Sequence, residues 1–112
     1  MELRSNDVGD TRIVKVIDTR IDAAVAIQFK DAMRAETEGG PARVVLDLSD
    51  VSFIDSSGLG AVVAAKKLLN GTHSLELVGL TPVVAKVFKL TRMDSVFEIH
   101  GDLTSAVPAL AS

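Results

Sequence analysis

Apolar and polar positions alternate loosely over Arg12-Ile13-Val14-Lys15-Val16-Ile17, a pattern that predicts a half-buried strand. The polar stretch at 6–10, with Gly9 inside it, predicts a hairpin turn and makes the first residues the partner strand. Val25, Phe29, Ala32 and Met33 then fall near helical spacing, with Asp22 ahead of them as a cap and Gly39-Gly40-Pro41 behind them as a stop. Residues 44–48 are nearly all apolar, as a central strand covered on both faces would be. Leu59, Val62, Val63 and Leu69 restore helical spacing up to Asn70-Gly71. Beyond them the pattern predicts a strand at 75–78, a helix over 83–89 opened by Pro82, a strand at 96–99 and a closing helix at 102–111.

Strand and helix alternate from Arg43 onward, which implies a mainly parallel sheet, and the N-terminal hairpin adds an antiparallel element. The predicted fold class is α/β: a mixed, mainly parallel sheet with about four helices. A chain of 112 residues fits one domain over 1–112. No internal repeat interrupts it, and the composition shift at 36–41 is too short for a linker.

Charge and composition exclude several classes. The net charge is −3 and the twelve Lys and Arg residues are scattered, so no basic stripe is offered to nucleic acid. The start of the chain lacks an apolar signal core, and no apolar run approaches the ~18 residues of a membrane span, so a soluble, unprocessed chain without membrane insertion is expected. With no cysteine there is neither a disulfide framework nor a thiolate metal site, which fits a reducing cytoplasm.

The chemistry concentrates where the apolar run ending in Phe53-Ile54 meets Asp55-Ser56-Ser57-Gly58-Leu59-Gly60 and a helix begins. A helix N-terminus presents unpaired N–H groups and the positive end of the dipole, both of which favour oxygen atoms and added negative charge. A serine there can cap the helix or accept a phosphate. Catalytic patterns are missing: Val63 stands where a dinucleotide loop needs its third glycine or alanine, no glycine lies two residues before either serine, and His-Glu-x-x-His spacing is absent. The carboxylates are expected to be scattered in solvent, so no metal or cofactor is expected. His73 and His100 are expected at the surface without a role, and Lys66 and Lys67 on a solvated helix face.

Val51-Ser52-Phe53-Ile54-Asp55-Ser56-Ser57-Gly58-Leu59-Gly60 resembles the signature of STAS-domain anti-sigma factor antagonists. The resemblance continues through Leu80-Thr81-Pro82 and Val87-Phe88. Ile21-Asp22 matches the end of the family's strand before its first helix, while Thr19-Arg20 replaces the usual Gly-Glu. At Thr91-Arg92-Met93 the family often carries a glycine after the Ser or Thr, and Arg92 is expected to need a different turn.

The resemblance implies a partner switch in the cytoplasm, not an enzyme. Ser56 would be phosphorylated by a serine-kinase anti-sigma factor; the unphosphorylated chain would bind that kinase and free its client, and a metal-dependent serine phosphatase would restore it. Apart from the resemblance, a monomer is the default expectation for the free domain. Asp22, Asp55, Ser57, Gly58, Leu59 and Gly60 are the expected partner-binding residues. Several keep a plainer alternative: Asp22 as an N-cap, Ser56 or Ser57 as the cap of their helix, Gly58 and Gly60 as close-packing positions. The alternative function is a constitutive STAS scaffold or accessory subunit of a lipid-transporter or stress-signalling complex.

Overall fold

The computed structural model describes residues 1–111. A tight turn at Gly9-Asp10 folds β1 (Leu3–Val8) back on β2 (Thr11–Val16), and the hairpin is antiparallel from Leu3 opposite Val16 to Val8 opposite Thr11. The turn is shorter than the polar run 6–10 predicts, because Asn6 to Val8 belong to the strand. Their polarity reflects a sheet edge with both faces largely in water.

The main sheet has the order β1-β2-β4-β6-β7, with β4 (Arg43–Asp47), β6 (Ser74–Val78) and β7 (Ile99–His100) parallel to β2. A second, two-stranded parallel sheet pairs β3 (Arg20–Ile21) with β5 (Phe53–Ile54). The apolar run beginning at Val44 is thus cut in two: a turn closed by the Val51 N–H on the Leu48 carbonyl separates β4 from β5.

Three helices cover one face of the main sheet: α1 (Ala26–Thr37), α2 (Ser56–Leu69) and α3 (Pro82–Leu90). Phe29 and Met33 of α1, Val62 of α2 and Val84 and Phe88 of α3 are fully buried against Val14, Val16, Val44 and Leu46. The apolar stripes read from helical spacing are the ones that pack. On the opposite face a smaller cluster of Ile13, Val45 and Val78 is closed by Ala106 and Val107, which belong to and follow α4 (Leu103–Ala106).

Several boundaries differ from the pattern. Helix α1 begins at Ala26 instead of directly after Asp22, because residues 22–25 form a turn in which Asp22 accepts the Ala24 N–H. Asp22 therefore caps that turn and not the helix. The expected strand at 96–99 is reduced to Ile99–His100: a 3-10 turn at Met93–Ser95 takes the Val96 and Phe97 N–H groups onto the Met93 carbonyl. Phe97 is buried edge-on to Phe88, with centroids 5.9 Å apart. The closing helix breaks at Val107, the residue before Pro108, whose ring disfavours helical backbone there; the chain resumes as a 3-10 turn at Pro108–Ala111.

Arg92 is the one non-glycine residue with positive φ among those described, at φ 61° and ψ 19°. In its turn Arg92 adopts the left-handed conformation that glycine takes most readily, and carries the strain itself.

Candidate functional site

Helix α2 starts at Ser56, and Asp55 is its cap: Asp55 Oδ1 accepts the Gly58 N–H at 2.8 Å. Its other oxygen, Oδ2, accepts the Ala23 N–H at 3.2 Å, so one carboxylate ties the start of α2 to the turn after β3. The Gly58 N–H foremost, then those of Ala23 and Ser57 with the nearby Arg20 charge, outweigh burial and hold the Asp55 carboxyl below the usual carboxylate range. Asp55 does more than complement the helix dipole; it takes the capping role considered for the serines.

That leaves Ser56 and Ser57 exposed, and neither hydroxyl has a hydrogen-bond partner among the described residues. Gly58 is buried, and a Cβ on it would meet the Ile21 carbonyl oxygen at 1.8 Å. Its lack of a side chain serves packing of α2 on β3, and it presents no surface of its own. Gly60 is exposed with open space where a Cβ would stand. Leu59 is mostly buried but reaches a groove of about 390 Å³ lined along α2 from Ser56 through Leu59 and Gly60 to Lys67, and by Thr91 and Met93 beyond α3. A groove of about 430 Å³ between α1 and α2, lined by Ile27, Lys30, Arg34 and Leu68, is larger but reaches none of the signature residues.

Asp22 lies beside this edge. Arg20 Nε donates to Asp22 Oδ2 at 3.2 Å, and the guanidinium sits 4.1 Å from the centroid of the Phe53 ring. The structure thus gathers Asp22, Asp55, Ser56, Ser57, Leu59 and Gly60 at the carboxyl end of the small sheet. Arg20 joins them, its position legible only in its proximity to Asp22 in the chain.

Three residues set aside in the sequence have partners, the first being His73, whose Nδ1 lies 2.9 Å from the Thr72 hydroxyl. His100 is half-buried, its Nε2 2.8 Å from Glu76 Oε1, and Glu76 also receives Arg43 at 2.7 and 2.8 Å. Arg43 continues to the Thr11 hydroxyl and the Ala106 carbonyl, fastening the C-terminal segment under the sheet. Glu98 brings a carboxylate oxygen close to the Glu76 and His100 ligand atoms, so the carboxylates are not all scattered. Both Glu76 oxygens are already engaged by Arg43, which makes this a structural ion pair. Lys66, expected on a solvated face, is half-buried with its ammonium 5.5 Å from the Phe97 centroid.

A helix-covered mixed sheet and an exposed serine at a separately capped helix start define a small α/β domain with that serine on one edge. The STAS domain family model matches residues 5–106, and the chain belongs to that family. The anti-sigma-B factor antagonist of Listeria monocytogenes is 35% identical over 100 residues, spanning 88% of this chain and 86% of that protein. An anti-sigma factor antagonist from Mycobacterium paratuberculosis superposes with a TM-score of 0.83 at 26% identity, over 99% of this chain and 94% of that one. SpoIIAA in its unphosphorylated form shares the fold, at a TM-score of 0.73 and 18% identity over 99% of this chain and 98% of that one. No helix among the described residues is long and apolar enough to cross a membrane.

Proposed function

We propose that this protein is an anti-sigma factor antagonist that works as a phosphorylation-controlled partner switch, with Ser56 as the modified residue. Unphosphorylated, it binds a serine-kinase anti-sigma factor and frees the client; phosphorylated, it lets go until a metal-dependent serine phosphatase restores it. The kinship with anti-sigma factor antagonists supports the partner class. The observation that carries the site is the division of labour at the start of α2: Asp55 satisfies the cap, so the exposed Ser56 hydroxyl has no structural task.

The physics of release follows. A phosphate adds roughly −1.5 to −2 charges beside the Asp55 carboxylate, and every ~1.4 kcal/mol of interface repulsion costs tenfold in affinity. The helix N-terminus accommodates the phosphate within the domain, so release comes from repulsion at the docking edge and not from unfolding. The domain is substrate and ligand of the kinase, with no catalysis of its own.

The test is intact mass and fragment mapping after incubation with ATP and a lysate of the source cells, alongside Ser56→Ala and Ser57→Ala. A single phosphate on Ser56 is expected. No phosphate under conditions where the kinase is shown active favours the constitutive subunit instead, and phosphate on Ser57 moves the site by one residue.

A further inference from the structure

In the small sheet Arg20 lies opposite Phe53 and Ile21 opposite Ile54, and Ser56 follows Ile54 by two residues. The Arg20 guanidinium rests over the Phe53 ring and pairs with Asp22 Oδ2. The next residue, Ala23, gives its N–H to Asp55, the neighbour of Ser56. Arg20, Asp22, Asp55 and Ser56 therefore lie along one edge, where the Arg20 charge acts on the Asp55 carboxylate, while Lys67 lines the groove that Ser56 also reaches.

The Arg20–Asp22 pair is open to water, with the Arg20 side chain 57% exposed, and an ion pair so placed is weak. A serine phosphate offers about −1.5 to −2 charges and three acceptor oxygens, and the planar fork of arginine binds phosphate with two parallel hydrogen bonds. In competition for one guanidinium, the phosphate with its higher charge and three acceptor oxygens prevails over the single charge of Asp22, whose side chain is 22% exposed.

We infer that a phosphate on Ser56 draws the Arg20 guanidinium off Asp22 and onto itself, making Arg20 the positioning residue of the modified serine. The inference rests on Ser56 being the modified residue. Phe53 keeps the guanidinium at the edge, so the change is one of partner, with the backbone in place. Asp22 is left without its cation, keeping only the Ala24 N–H, on the surface that carries the phosphate. Modification of one side chain thereby alters the charge presented by two.

Phosphoserine installed at position 56 by codon reassignment gives the modified chain without a kinase, and 31P NMR then follows its second ionisation, which is centred near pH ~6 in an unperturbed phosphoserine. In the wild-type background the midpoint is expected below that of Arg20→Gln by a shift equal to roughly a two- to threefold change in proton affinity, the range of an exposed charge pair. Arg20→Lys, which keeps the charge and loses the fork, falls between them. Arg4→Gln, which removes a charge from the edge strand β1, leaves the midpoint in place. Amide spectra of each variant verify the fold. If Arg20→Gln titrates as wild type, Arg20 does not hold the phosphate and the inference is overturned. Because the phosphoserine needs no kinase, that failure counts against Arg20 alone, whereas failed mass mapping counts against Ser56 as the modified residue.

Discussion

The backbone of Gly58 lies against the Ile21 carbonyl so closely that a Cβ would stand 1.8 Å from its oxygen. The neighbouring Ile54 side chain closes the same space at 3.0 Å. Helix α2 can approach β3 this nearly only through a residue without a side chain. Gly58→Ala is therefore expected to destabilise the fold by about 3 kcal/mol, the upper end of overpacking costs, as read by denaturant unfolding.

Gly60→Ala gives the opposite sign. A Cβ there enters open space, and replacing a helical glycine by alanine is worth about 0.5–1 kcal/mol of added stability. The same denaturation series checks both. A loss of stability in Gly60→Ala would contradict the assigned helix start.

Arg92→Gly is expected to raise stability by about 0.5–1 kcal/mol. Left-handed backbone costs a side-chain-bearing residue ~1–2 kcal/mol, and the greater freedom of glycine in the unfolded chain returns part of that gain. Equilibrium unfolding measures the change, and an unchanged midpoint would mean that Arg92 carries no strain.

Acid weakens the protein through Glu76. Its hydrogen bonds from Arg43, above all, and then from His100 outweigh burial and hold its carboxyl below the ordinary glutamate value of 4.5. The unfolded chain then binds more protons in acid, so this contribution is complete above pH 4.5 and is lost as pH falls through the lowered folded value. Asp55 and Asp102, held low by backbone N–H groups, act in the same direction. Thermal unfolding from neutral to acidic pH is expected to show the decline, and Glu76→Gln to flatten the part nearest pH 4.5. Glu76→Ala leaves the Arg43 fork without its carboxylate and is expected to cost about 1–3 kcal/mol at neutral pH.

Ser56→Ala removes a hydroxyl without a partner, so its stability is expected within about 0.5 kcal/mol of wild type. Binding separates the variants. Ser56→Ala stays with the kinase in the presence of ATP, and Ser56→Asp binds at least about tenfold more weakly, the equivalent of ~1.4 kcal/mol. Titration calorimetry against the kinase checks both, and equal affinities would support a constitutive subunit.

The large elements were legible because their patterns answer to one face of one sheet. Phe29 and Met33 announced α1 through spacing, and the unbroken apolar residues of β4 announced a strand covered on both sides. What stayed hidden depended on pairings distant in sequence. Nothing local says that Asp55 reaches Ala23, and that single bond helps set the turn that delays α1 to Ala26. Glu76 fell among the carboxylates expected in solvent, whereas it is buried beside Arg43, which also holds the C-terminal segment at the Ala106 carbonyl. Phe97 read as strand on propensity, but its ring belongs against Phe88, and the backbone turns to deliver it. At the site the motif located the serine, and only the geometry separated the capping carboxylate from the free hydroxyl beside it.

The two-residue strands β3 and β5 bond to each other and to neither edge of the five-stranded sheet. The edge that carries Ser56 is consequently joined to the core by side-chain packing through Ile21 and Ile54 and lies outside the main ladder. Under the proposed switch, load from a partner at that edge passes to the core through Ile21 and Ile54 and not through the ladder hydrogen bonds. Substitutions at the proposed docking end that spare those two side chains leave the register of the scaffold beneath it untouched.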